Sequence, residues 1–263
     1  MNSFERAREI VALIKSAPTD ELACLIERYQ DDPRQQVAQA VASARRKLES
    51  SEHESQRIHM MYQLQSDLAL GGIAIGIDEV GRGAVAGPLT VAAVILDTNS
   101  PIYGLNDSKK LTPQKREVLS AQIAQTAHAI GIAHIAPQVI DERGMGYCLH
   151  QAMSEALASA EETSGITADA VLIDGNPMHI DPRETTIVKG DARVACIAAA
   201  SIVAKVARDS LMCAMDEEYP GYFFAENKGY ASAAHIQAIR EKGLSSIHRA
   251  SFCGNFLETP SLF

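Results

Sequence analysis

Apolar residues recur at helical spacing through the first part of the chain, at Val11, Leu13, Ile14, Leu22, Leu25 and Ile26. Pro18-Thr19-Asp20-Glu21 reads as a helix start, with Thr19 or Asp20 as the cap. Residues 35–61 are rich in Ala, Gln, Arg and Glu and poor in β-branched side chains. The pattern predicts two or three helices over residues 1–70, forming a small bundle or arm. From Gly71 the periodicity changes. Residues 73–77 and 89–96 read as strands, close enough to pair antiparallel across a glycine loop. Thr112 caps and Pro113 opens a helix that continues to about Thr126. Residues 130–135 predict a third strand, and 137–162 are largely helical. Residues 170–173 predict a buried strand running into Asp174-Gly175. A short strand over 185–188 runs into Lys189-Gly190-Asp191, and a long Ala-rich helix covers 192–215.

This order of elements predicts an α/β fold with an antiparallel start and parallel crossovers later. The domain expectation is a helical extension over 1–70 and one catalytic domain over 71–263, with a helical region at its C-terminal end. Hydrophobic residues make up 46% and charged residues 22% of the 263, ordinary values for a globular protein. Lys and Arg number 24 against 33 Asp and Glu, a net charge of −9. Binding of a polyanion by bulk charge is thereby excluded, so any such site must be local and assisted by metal ions and backbone amides. The run Arg45-Arg46-Lys47 reads as a solvated helix face, with a phosphate contact as the alternative. The five cysteines are odd in number and widely spaced, which predicts buried reduced thiols rather than a disulfide framework or a zinc site. No apolar run approaches a membrane span, and the charged start MNSFERAREI carries no signal core. The expectation is a cytoplasmic protein.

The candidate chemistry centres on IGIDEVGRGAVAG. An apolar strand delivers Asp78 and Glu79, and Gly81-Arg82-Gly83 follows at once. Acids beside a glycine-flanked arginine suit a site that holds divalent metal and presses backbone and guanidinium against a phosphate. Asp78 and Asp174 each close an apolar strand, and ligands gather at the carboxyl ends of strands in open α/β sheets. Adjacent strand residues point to opposite faces, so Glu79 joins Asp78 only if the strand has already ended. Asp209 lies well inside the long helix, where spacing alone favours an ion pair with Lys205 one turn back.

Seven segments, GIDEVGRG, DSKKLTPQKR, LIDGN, KGD, AAASIVAKVARD, NKGYASAAH and HRASF, follow one another over residues 72–252. In this order they resemble the motif set of bacterial ribonuclease HII, of the type 2 ribonuclease H family. The resemblance implies a ribonuclease H-like fold with a mixed central sheet flanked by helices, to which the small N-terminal helical extension is added. It implies a four-acid site of Asp78, Glu79, Asp174 and Asp209 as both catalytic and metal-binding residues, with Mg²⁺ or Mn²⁺ as cofactor and two ions in the reacting complex. Asp209 is thereby drawn towards the ligand reading. In similar enzymes the glycine–arginine–glycine loop reads the 2′-OH, which implies Gly81, Arg82 and Gly83 as substrate-binding residues. Tyr230 matches a tyrosine that packs on the adjacent deoxyribose. Lys109, Lys110 and Lys189 match basic positions near phosphates. His235, His248 and Arg249 fall in family motifs with structural or substrate-strand roles. Val194 and Cys196 stand where relatives often carry serines, and the first 70 residues lie outside the common core.

The implied activity is endonucleolytic cleavage of RNA within RNA/DNA hybrids and at single ribonucleotides in duplex DNA, as in ribonucleotide excision repair. The cut falls 5′ to the ribonucleotide and leaves 3′-OH and 5′-phosphate ends. The alternatives are a ribonuclease HIII-like preference for longer hybrids and a non-catalytic hybrid-binding protein. The expected partners are nucleic acid, no membrane, and a monomeric state. The tail Thr259–Phe263 is similar to short Leu/Phe motifs that dock on a sliding clamp, which makes Leu262 and Phe263 a candidate clamp contact.

Overall fold

The computed structural model describes residues 6–257, so Leu262 and Phe263 lie outside the described residues. The chain divides between His59 and Met60 into two compact units. The first holds α1 (Ala7–Ser16), α2 (Thr19–Tyr29) and most of α3 (Gln35–Leu68). Ile10, Ile14, Leu22, Leu25, Ile26, Val37 and Val41 form its apolar centre, while Leu13 remains exposed. Pro18 is the N-cap of α2 and no side chain caps it, so neither Thr19 nor Asp20 has the predicted role. Arg45 donates to Gln30 Oε1 (3.0 Å) and Lys47 to the Ala17 carbonyl (3.4 Å), which ties two members of the basic run into this unit.

The second unit is built on a five-stranded sheet in the order β3-β2-β1-β4-β5. Its strands are β1 (Ala74–Val80), β2 (Leu89–Ile95), β3 (Ala129–Ile135), β4 (Ala170–Asp174) and β5 (Glu184–Ile187). β1 runs antiparallel to β2 and parallel to β4, and β4 runs parallel to β5. The expected antiparallel start and parallel crossovers are both present. Thr112 caps α4 (Pro113–Thr126) by accepting from the Lys115 N–H. The helical stretch after β3 breaks at Gly144 into α5 (Pro137–Arg143) and α6 (Met145–Ser164). The long helix is α7 (Ala195–Glu218), followed by the single turn α8 (Phe224–Asn227) and by α9 (Ala233–Lys242).

α6 and α7 cover opposite faces of the sheet. Ile75 and Ile77 of β1 and Val171 and Ile173 of β4 pack with Cys148, Ala152 and Ala156 of α6. Gly76 has the other parity: a Cβ there would lie 2.2 Å from the Cys196 carbonyl carbon at the start of α7. Only hydrogen at that position lets the helix backbone approach so closely. Small side chains continue the fit, with Ala198, Ala199 and Ala200 wholly buried on α7. Because parity alternates along a strand, Asp78 and Asp174 project on the α7 side.

The last two turns of α3 belong to this second unit. The Cys196 N–H donates to Gln65 Oε1 (2.9 Å), and the Ile102 N–H donates to the Tyr62 hydroxyl (3.1 Å). α7 has no side-chain cap of its own at Val194, so a buried orphan N–H of its first turn is met from another element. Replacing Gln65 with leucine strands that donor. We expect a loss of about 1–3 kcal/mol, read as a lowered urea midpoint with an unchanged slope.

Candidate active site

β1 and β4 pair in parallel with Gly76 opposite Leu172 and Ile77 opposite Ile173. The next step of that register brings Asp78 alongside Asp174. Asp191 arrives from a different direction, in the 3₁₀ turn Gly190–Ala192 just before α7. The Gly190 N–H donates to Asp174 Oδ1 (2.6 Å), which locks this turn onto the end of β4. Oxygens of Asp78, Asp174 and Asp191 all lie within 4.8 Å of one another. Among the described residues this is the one group of three or more acidic, histidine or cysteine side chains close enough to share an ion.

The electrostatics show the tension in this arrangement. Burial, then the neighbouring Glu79, push the Asp78 carboxyl well above its ordinary range, against a stabilising hydrogen bond from Ser201. Asp191 is raised to about 6, by burial first and then by Asp174 and Asp107. Burial also raises Glu79, which Arg82 partly offsets from 3.8 Å. Lys109 answers these acids: burial opposes its charge, but Asp107, Asp78, Asp191 and Asp174 together hold its pKa above the usual lysine value. Buried, mutually repelling oxygen donors with no histidine or cysteine among them fit a hard divalent cation.

β1 continues to Val80, so Glu79 is still in the strand, and its carboxyl feels both Asp174 and Lys109. Two expectations change here. Asp209 is not in the acidic group. Ser201, which reaches Asp78, lies eight residues earlier on α7, and that spacing places Asp209 about 12 Å farther along the helix axis. Asp209 instead pairs with Lys205 (2.9 Å) and faces Arg116 (3.9 Å). Arg116 in turn donates to the Ser108 and Leu111 carbonyls (both 2.8 Å) and so holds the turn that carries Lys109 and Lys110. The ion-pair reading of Asp209 describes its surroundings, and the third acid of the cluster is Asp191, which sequence reasoning had left as a strand end. Finally, Cys24 and Cys213 are exposed, so only Cys148, Cys196 and Cys253 match the buried-thiol expectation.

The glycine–arginine–glycine loop is held from beneath by two wholly buried arginines, Arg208, which the sequence reading did not single out, and Arg249, for which a structural or substrate-strand role was expected. Arg249 donates to the carbonyls of Gly81 (2.7 Å), Arg82 (3.2 Å) and Gly87 (2.8 Å). Arg208 donates to Ala86 (3.0 Å), Pro88 (2.8 Å) and Lys228 (2.8 Å). Burial, then Arg208 beside it, lowers Arg249 to about 10, which leaves it charged at neutral pH. Gly81 sits at φ 88°, and a Cβ there would lie 2.2 Å from Arg208 Nε, so its glycine is an internal requirement. Gly83 differs: a Cβ would meet nothing within 4 Å. Arg82 and Tyr230 are exposed, as are Lys109, Lys110 and Lys189. Val194 and Cys196 are fully buried, and burial pushes the Cys196 thiol to about 12, so neither faces a substrate.

Two outcomes follow. In manganese titrations, Asp191→Asn weakens binding by at least about tenfold, whereas Asp209→Asn stays near wild type; equal losses reverse the assignment. The raised Asp191 also fixes a sign. Its native pKa of about 6 exceeds its ordinary 3.8, so the favourable contribution is complete below the lower value and is lost as pH rises through the higher one. In chelator, wild type therefore loses more melting temperature than Asp191→Asn between about pH 4 and pH 7, and added manganese restores it.

Comparison with known proteins agrees with this geometry. The family described as Ribonuclease HII matches residues 75–255, and the Ribonuclease HII N-terminal domain matches residues 7–69. The helical segment that the motif resemblance left unexplained is thus a family feature. The ribonuclease HII of Enterococcus faecalis is 39% identical over 95% of this chain and 96% of its own length. That of Listeria monocytogenes is 40% identical over 90% of both chains. Among solved structures, ribonuclease H2 from Pyrococcus horikoshii has a TM-score of 0.59 at 24% identity, covering 71% of this chain and all of that one. The Archaeoglobus fulgidus ribonuclease HII, solved in complex with PCNA, has a TM-score of 0.57 at 25% identity, covering 68% and 94%. With the acidic cluster at the strand ends and the family matched along nearly its whole length, the chain belongs to the ribonuclease HII family and is a metal-dependent ribonuclease H.

Proposed function

We propose that the protein incises RNA within RNA/DNA hybrids and at single ribonucleotides embedded in duplex DNA. The cut falls 5′ to the ribonucleotide and leaves 3′-OH and 5′-phosphate ends, an activity suited to ribonucleotide excision repair. The observation that carries the reading is the juxtaposition of the Asp78–Asp174–Asp191 cluster with Glu79 near the end of β1 and with the loop that carries Arg82 and the open Gly83. Magnesium or manganese is the cofactor, with two ions in the reacting complex. A bound divalent cation supplies acidified water and charge neutralisation at the phosphate.

The chain's own residues then have separable tasks. Asp78, Asp174 and Asp191 would hold the cation, with Glu79, whose carboxyl feels Asp174 and Lys109, beside them. Gly81 lets the loop turn over Arg208, and Gly83 leaves the backbone open to a ribose 2′-OH. Arg82 meets phosphate with its exposed guanidinium. Tyr230 offers a ring face to the adjoining deoxyribose. Lys109, Lys110 and Lys189 meet the backbone by charge, and Lys109 is the one among them already drawn towards the acids. A clamp contact through Leu262 and Phe263 belongs to the same proposal, in line with the archaeal relative solved with PCNA.

The match of residues 7–69 to the Ribonuclease HII N-terminal domain favours this reading over a ribonuclease HIII-like one. The deciding assay uses a labelled duplex with one ribonucleotide and a second with a ribonucleotide run, each in magnesium and in manganese. Wild type incises the single-ribonucleotide duplex 5′ to the ribose, and Asp78→Asn lowers the rate by at least about a hundredfold. Cutting of the run alone favours the HIII-like reading, and metal-independent binding without incision favours a binding protein.

A further inference from the structure

Three short segments meet behind the recognition loop. The Val85 and Ala86 N–H groups both donate to the Gly229 carbonyl (2.9 and 3.1 Å). The Gly87 N–H donates to the Ile247 carbonyl (2.8 Å), the Arg249 N–H donates to the Val85 carbonyl (2.8 Å), and Ala86 bridges His248. Residues 229–230 and 247–249 are thus each pinned to the exit of the Gly81–Gly87 loop. They are pinned to each other by two buried imidazoles, His235 and His248, whose Nε2 atoms lie 3.0 Å apart.

The partners of the outer nitrogens leave one proton arrangement. His235 Nδ1 lies 2.9 Å from the Tyr230 carbonyl, which only accepts, so Nδ1 carries the proton and Nε2 is bare. His248 Nδ1 receives the Ser245 N–H (2.9 Å) and lies 2.7 Å from the Ser245 hydroxyl, so it is bare and Nε2 carries the proton. The inner contact is then a sound N–H···N bond from His248 to His235. The whole chain runs one way, from the Ser245 amide through both rings to the Tyr230 carbonyl. A further proton is opposed at both places: at His235 Nε2 it faces the His248 N–H, and at His248 Nδ1 it faces the Ser245 amide, with the Ser245 hydroxyl as the one acceptor in reach. Tyr222 and Phe224, stacked at 5.5 Å, close the pocket around both rings.

We propose that His235 and His248 are positioning residues for ribonucleotide–deoxyribonucleotide recognition, acting as one neutral bridge of fixed tautomer that sets Tyr230 relative to the Gly81–Gly87 loop. The pair touches no substrate and no reacting atom. It acts through Tyr230, whose carbonyl also receives the Ser232 N–H (2.8 Å), and so fixes where that ring meets a sugar. Burial, and for His248 the neighbouring His235, holds both rings below the usual histidine pKa, as a bridge of neutral imidazoles requires. The proposal rests on the reading of Tyr230 as a sugar-packing residue.

The test has two arms, both on the full chain. Ring nitrogen-15 spectra of the free protein at neutral pH report the tautomers without any catalysis. We expect Nδ1–H at His235 and Nε2–H at His248, and either ring protonated, or both in the same tautomer, overturns the bridge. The second arm compares His235→Asn with His235→Gln on the single-ribonucleotide duplex. Asparagine places an amide where Nδ1 was and can still meet the Tyr230 carbonyl, whereas glutamine places it where Nε2 was and cannot. Each variant breaks the bridge at one end, asparagine at His248 and glutamine at Tyr230, so KM rises about tenfold in both, the loss of one hydrogen bond, with kcat nearly constant. An unchanged KM in either variant, or a loss confined to kcat, overturns the proposal. Wild type that fails to incise this duplex refutes the functional reading instead, and the spectra still judge the bridge.

Discussion

Carboxylates within a few ångströms of one another repel, and burial makes the repulsion worse. The Asp78–Asp174–Asp191 cluster exists because packing elsewhere forces it. Asp78 and Asp174 are neighbours through the register of two parallel strands whose preceding residues are buried without exception. Asp191 cannot withdraw, because the amide of the residue before it is bonded to Asp174 and the residues after it enter a helix buried against β1. Slack in any of these contacts would let the acids separate. The close approach of α7 at Gly76 removes that slack, so a position with no side chain governs the one with the most charge.

Recognition is built on the opposite sign. Arg208 and Arg249 lie wholly buried beneath the loop, and their hydrogen bonds run to main-chain carbonyls. Buried cations are costly unless their donors are met, and among the described residues no buried side-chain nitrogen or oxygen lacks a partner. Drawing the loop carbonyls inward fixes the backbone of Gly81–Gly87 as firmly as a strand would. The histidine bridge extends the same logic to Tyr230. The acidic cluster and the recognition loop are therefore rigid for different reasons, one through backbone packing and the other through buried donors.

These differences decide what could be read from residues alone. Strand and helix order was legible because its apolar periodicity is strong, and Asp78 and Asp174 were legible because each closes an apolar run. Asp191 carried the same signal: Lys189-Gly190-Asp191 follows β5 and stands just before α7. Asp209 displaced it because it ends a longer and more conspicuous motif, although a residue fourteen positions into a helix lies about 21 Å from its start. Simple helix geometry favoured the nearer acid. The length of β1 was not legible, because its last residues have no apolar alternation to mark them. The two buried arginines and the histidine pair left no trace in periodicity, since the arginines bond to carbonyls brought in by folding and the histidines meet across the turn after α9.

The border between the two units is the least obvious product of this design. Composition changes at Gly71, and the N-terminal family domain runs to residue 69, yet the compact units part between His59 and Met60. The reason lies in two side chains on the last turns of α3. Tyr62 receives the Ile102 amide, and Gln65 receives the Cys196 amide at the start of the helix that presses on Gly76. A helix that begins among the residues of one unit thus ends by capping the central helix of the other. The hydrogen bonds of Tyr62 and Gln65 agree with the compact unit that starts at Met60, while the change of composition at Gly71 marks where the strands begin.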